Sequence, residues 1–163
     1  MTHGWDNFFV AEAGAAAALS GLVFVAVSIS LKAILGSPHL RARAVETLLM
    51  FLSVLAITTC GLVPDQGSAA LGTEIAGFGA LVWIVATWRH VRAYRDPNLE
   101  SEARRWLWIR ILGGQASSIP FVVAGSLLVA GRDSGLAWVA PGTLASFAAG
   151  ALNAWVLLVE IQR

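Results

Sequence analysis

The chain holds a single cysteine, Cys60, which excludes an intrachain disulfide and any thiolate cluster built from one copy. In its place it reads as a small apolar residue near the end of a helix. Charge is scarce: Asp, Glu, Lys and Arg make up 13% of the 163 residues, about half the share found in an ordinary soluble domain. The N-terminal stretch has no basic region of the secretory-signal kind, and its apolar run continues past the length of a signal core, so it reads as a retained first helix. Missing too are a His-Glu-x-x-His zinc motif, a nucleophile elbow, a phosphate-binding glycine loop and a Ser beside a plausible base. His39 and His90 have neither close spacing nor a thiolate or carboxylate partner on a shared face, which argues against a metal or haem site. These absences predict no enzyme, no cofactor and no nucleic-acid partner.

What the chain has in abundance is apolar length. Hydrophobic residues make up 57% of it, gathered into five blocks at 8–31, 44–63, 71–88, 103–130 and 136–159. In a bilayer each backbone polar group must be satisfied inside its own segment, so runs of about 20 apolar residues read as spanning helices. The expected fold is therefore all-α, a polytopic transmembrane bundle of five helices in a single membrane domain, 1–163. Ten of the eleven Lys and Arg residues fall on one alternating set of gaps. Lys32, Arg41 and Arg43 lie in the first, Arg89, Arg92, Arg95, Arg104, Arg105 and Arg110 around the third, and Arg163 ends the chain, while Arg132 stands alone on the other side. By the positive-inside rule the N-terminus is expected outside and the C-terminus in the cytoplasm, where the basic residues can meet anionic headgroups.

The boundaries carry their own signals. Gly36, Ser37 and Pro38 are expected to end the first helix, and Pro64 with Asp65, Gln66 and Gly67 to make a tight outer turn. The third helix is expected to continue beyond the membrane as an amphipathic extension through His90, Tyr94 and Arg95 to Pro97. Pro120 removes a backbone donor near the middle of the fourth helix and invites a kink. Trp5, Trp106, Trp108, Trp138 and Trp155 are placed as interfacial anchors.

Two helices bear the candidate functional residues. On a helical wheel of the first, Gly14, Ala17, Ala18, Gly21 and Ser28 fall together, with Glu12 and Ser30 on roughly the opposite side. The small face invites close helix packing, and the acidic one needs protein or water, unless Glu12 reaches the headgroups. In the fifth helix, Gly142, Ser146, Ala149, Asn153 and Glu160 form a polar stripe along the helix. Gly114, Ser118 and Gly125, with Gln115 nearby, make a similar line in the fourth. Such stripes either line an aqueous path or let another helix approach. Glu46, Glu74 and Arg110 sit near the boundaries, where solvated heads or structural ion pairs account for them.

The run from Trp5 to Leu31, WDNFFVAEAGAAAALSGLVFVAVSISL, and the following Arg41-Ala42-Arg43-Ala44-Val45-Glu46 resemble a family of small, uncharacterised bacterial integral membrane proteins, some of which carry the label "modulator of FtsH protease". The resemblance implies bacterial origin and multi-pass residence in the cytoplasmic (inner) membrane; it assigns no functional residue.

Two functions remain open from the sequence. One is a homo-oligomer whose subunits surround a path for an ion or small solute, with Glu12, Ser146 and Asn153 as lining residues. Closed symmetric association is the economical way for a five-helix subunit to enclose a pore. The other is an accessory or regulatory subunit whose small-residue seams receive a larger membrane protein, such as a membrane protease.

Overall fold

The structure, a computed structural model, describes residues 4–95 and 101–161, without the side chains of 101–106, 160 and 161. Pro97, Arg163 and the side chains of Arg104, Arg105, Trp106 and Glu160, all used in the sequence reading, lie outside the described residues. The described residues are helical almost throughout and contain no strand. The helices are α1 (Asp6–Ile29), α2 (Leu31–Gly36), α3 (Pro38–Gly61), α4 (Ser68–Tyr94), α5 (Ser101–Val129) and α6 (Val139–Ile161), with a 3₁₀ segment, Asp133–Trp138, before the last. Five helical segments are long and apolar enough to cross a membrane. The 24 residues of α1 alone extend about 36 Å. The chain is a multi-pass membrane protein.

Several boundaries differ from the sequence reading, each for a local reason. The Gly36-Ser37-Pro38 signal ends the short α2 and also starts α3. The Ser37 side chain accepts from the Leu40 amide at 3.5 Å, and Pro38 occupies the first turn, where its missing N–H costs nothing. Arg41 and Arg43 consequently lie inside a helix and not in a turn. The chain breaks at Ser30, so the first span stops at Ile29 and Leu31 opens α2. α4 runs on to Tyr94, in keeping with the expected extension. α5 ends at Val129, and the chain turns at Gly131, whose φ of 73° suits a residue without Cβ. There the Arg132 amide donates to Leu127 O at 2.9 Å and the Gly131 amide to Leu128 O at 3.0 Å, closing the last turn.

The chain divides into two units: 1–65 with 147–163, and 66–146. In the first, α3 is the central element. Leu40, Ala44, Thr47, Phe51, Val54, Thr58 and Gly61 recur at alternating spacings of four and three and are all buried. α1 lies against α3 through a narrower seam, Phe9, Ala16 and Val23, one buried residue every seven. A Cβ on Gly61 would meet the Phe9 ring at 2.8 Å, so glycine is what lets that ring lie against the end of α3. Near the other end Ile34, Leu40, Ala44 and Leu157 form a small core with Val27 against it. Along α6, Gly150 leaves room in the same way for the Phe51 ring, which also lies 6.1 Å from Phe147.

The second unit is organised by the pairing of α4 with α5. Gly72, Ala76 and Gly79 form a small-residue line on α4, and Gly125 answers it on α5. A Cβ on Gly72 would reach Gly125 O at 2.8 Å and Val129 N at 2.8 Å, and one on Gly125 would strike Ala76 N and Gly72 O. The two backbones therefore touch, which membrane helices use in place of a hydrophobic driving force. Replacing Gly125 by Val should disrupt this pair by at least the upper end of the overpacking range of about 1–3 kcal/mol, because backbone cannot move aside. Gly77→Val, at a position with open space around it, should be tolerated. Thermal unfolding of both variants in detergent checks the contrast.

Candidate functional site

α1 is the least covered span: 17% of its apolar window is buried, against 56% for α3. Its covered side carries Phe9, Ala16 and Val23, and Glu12 falls on that same side at about 100° per residue. Glu12 is half-buried, and its Oε2, shielded from solvent, has no hydrogen-bond partner among the described residues. The small face points the opposite way. Gly14, Ala17, Ala18 and Gly21 are exposed, and nothing lies within 4 Å of a Cβ placed on either glycine. Ser28 shares this face but donates its hydroxyl to Phe24 O at 2.8 Å. The open face is thus small between Gly14 and Gly21, with exposed Val10, Phe24 and Val25 around it, and its hydroxyl proton, that of Ser28, is committed within the helix.

The other stripes are enclosed by the chain itself. Gly142 is buried, with a Phe121 ring carbon 2.8 Å from the position of its missing Cβ. Ser146 is fully buried, donates to Gly142 O at 2.8 Å and reaches Ser117 O at 3.5 Å. That second contact falls near Pro120, where the helix lacks one donor. Ser118 is buried and donates to Gly114 O at 2.6 Å. Asn153 is buried as well. Glu74, half-buried, accepts from Gln66 Nε2 at 2.7 Å and so ties the turn after α3 to α4.

Gln115 belongs to a different arrangement. Its Oε1 accepts from Trp83 Nε1 at 2.5 Å and its Nε2 donates to Thr87 Oγ1 at 3.2 Å, which joins α4 to α5 by side chains. These groups adjoin a groove of ≈ 350 Å³ at the basic ends of the two helices, with Val91, Ile111, Tyr94 and Trp108 on its walls. His90, 4% exposed, forms part of it. Gly114 gives the imidazole its space, since a Cβ there would come within 3.0 Å of His90 Cε1. The first unit has a second groove of ≈ 270 Å³, lined only by apolar residues of α1, α3 and α6, including Leu22, Phe51 and Trp155.

Three buried charged or titratable groups escaped the sequence reading. Arg43 and Glu46 are each 5% exposed, and His90 is nearly as enclosed. The boundary position of Glu46 left a solvated head or a structural ion pair open; its burial excludes the solvated head. Arg43 Nε donates to His39 Nε2 at 3.0 Å, so that imidazole accepts in its neutral form. The signal was available: Arg43, Glu46, Met50, Ser53 and Ile57 repeat at spacings of three and four beside the main buried stripe of α3. Among the described residues no group of three or more His, Cys, Asp and Glu side chains is placed to hold a metal ion.

Glu12 marks the one acidic atom set against the packed side of α1 without a hydrogen bond. Exchanging it for Leu should raise stability by about 1–3 kcal/mol, the cost of an unsatisfied buried group, while leaving the opposite face intact. Unfolding midpoints of the two proteins in the same detergent check this, a lower midpoint for Glu12→Leu contradicting it.

No protein-family model matches the chain, and no curated protein or solved structure is similar to it.

Proposed function

We propose that the protein is a subunit of a homo-oligomer assembled through the open face of α1, and that the assembly provides a path for an ion or small solute. The supporting observation is the placement of Gly14, Ala17, Ala18 and Gly21 opposite the seam that α1 makes with α3. Helices in lipid associate through close contact of small residues, and this face is a small-residue line left uncovered among the described residues. Closed symmetric association would bring the α1 helices around one axis. With Gly142, Ser146 and Ser118 buried inside the chain, α1 is the helix left to line a path.

The small residues of that face favour a second reading. With the Ser28 proton committed within the helix, the face suits packing better than conduction, as in an accessory subunit that seats a larger membrane protein. The mass of the detergent-solubilised particle separates the two. A homo-oligomer gives a discrete multiple of 17.2 kDa, and Gly14→Leu with Gly21→Leu reduces it to one chain while helicity is kept. A monomeric wild-type particle rejects self-association. If the oligomer forms but liposomes containing it show no flux, the path is rejected and the assembly retained.

We further infer an inner-membrane protein with its N-terminus outside, on the charge asymmetry of the gaps. In a Cys60→Ala background, Ser134→Cys should react with a membrane-impermeant maleimide in intact cells and Lys32→Cys only after permeabilisation. The reverse pattern would invert the topology.

A further inference from the structure

We propose that the groove between the basic ends of α4 and α5 binds an anionic phospholipid, an acyl chain lying along its apolar wall and the headgroup phosphate meeting Arg95 at its rim. The walls suit a chain. Val91 and Ile111 supply aliphatic surface, and Tyr94 stands edge-on to Trp108 with ring centres 6.3 Å apart. Aromatic residues of this kind settle at the level of lipid headgroups. Of the polar side chains facing the groove, the Gln115 amide is already engaged by Trp83 and Thr87. A hydrocarbon chain can therefore lie over it without leaving those groups unsatisfied.

The rim supplies the selectivity. Arg95 lines the groove and is exposed. Arg92, one turn earlier on the same helix, is held with its guanidinium 5.7 Å from the centre of the Trp88 ring. Over residues 89–110 the sequence sets six arginines against Asp96, Glu100 and Glu102, so this end of the hairpin is cationic. Basic pockets between membrane helices attract anionic headgroups. The groove of the first unit offers the contrast: it is lined by apolar residues alone and has no means of telling one headgroup from another.

The test uses the full chain in neutral detergent, titrated with phosphatidylglycerol or phosphatidylcholine of matched acyl chains and read by native mass spectrometry. Tighter binding of one phosphatidylglycerol per chain is expected. Arg95→Gln should weaken it about fivefold, the equivalent of one surface arginine, and weaken phosphatidylcholine binding less, because choline offsets the charge of the same phosphate. Val91→Trp fills the groove from an exposed position and should abolish the preference; circular dichroism verifies that both variants remain helical. Inorganic phosphate or glycerol phosphate at millimolar concentration should not displace the lipid. Equal affinity for the two lipids, an unaltered preference in either variant, or displacement by the soluble phosphates would overturn the proposal.

Discussion

In lipid, apolar surfaces gain little by leaving the solvent for one another, so helices hold together only as far as their backbones can approach. That constraint accounts for the placing of the glycines. Where α4 meets α5, Gly72 and Gly125 bring main chain against main chain; where α1 meets α3, Gly61 opens the slot that Phe9 fills; along α6, Gly142 and Gly150 receive the rings of Phe121 and Phe51. Each pairing matches a missing side chain on one helix with a bulky group or a backbone on another. The packing enthalpy gained there, and not burial from water, is what distinguishes these contacts from contacts with lipid.

The same constraint gives meaning to the glycines with empty surroundings. Gly14 and Gly21 resemble the filled positions in sequence context, yet among the described residues nothing lies within 4 Å of a Cβ placed on them. A helix covered along one seam and small on the opposite side is suited to being an intermediate layer. This is why the proposed function rests on the uncovered face of α1. The hydroxyl groups reinforce the point. Ser118, Ser126, Thr47, Thr58 and Ser146 each donate to a carbonyl one turn back in their own helix, which commits their protons within the helix.

Charge follows a second logic. Arg43 and Glu46 lie within one helical turn of each other, buried in the helix that the first unit is built around, where removing one member of a polar set leaves its neighbours in a low-dielectric setting. Arg92 and Arg95 instead stay exposed at the end of α4, where long side chains can follow the membrane surface. The basic residues that look alike in a charge count thus divide into structural and surface groups.

The sequence by itself determined the class: long apolar runs compel helices, because a backbone in lipid has no other donor or acceptor than its own. It also determined which helix faces are small, since the wheel positions of Gly14, Gly21, Gly142 and Ser146 follow from spacing alone. It misplaced the start of α3, because Pro and Ser signal both an end and a beginning, and it left Glu46 between a solvated head and a structural ion pair when the spacing of Arg43, Glu46, Met50, Ser53 and Ile57 pointed inward. Only the tertiary structure decided which small faces are occupied. The small face of α1 and the more polar stripe of α6 differ in whether another part of the chain fills them, and that depends on neighbours brought together from distant positions, which local periodicity does not encode. The groove beside His90 has the same origin: Gly114 and His90 are far apart in sequence, and one makes room for the other only once α4 and α5 lie side by side.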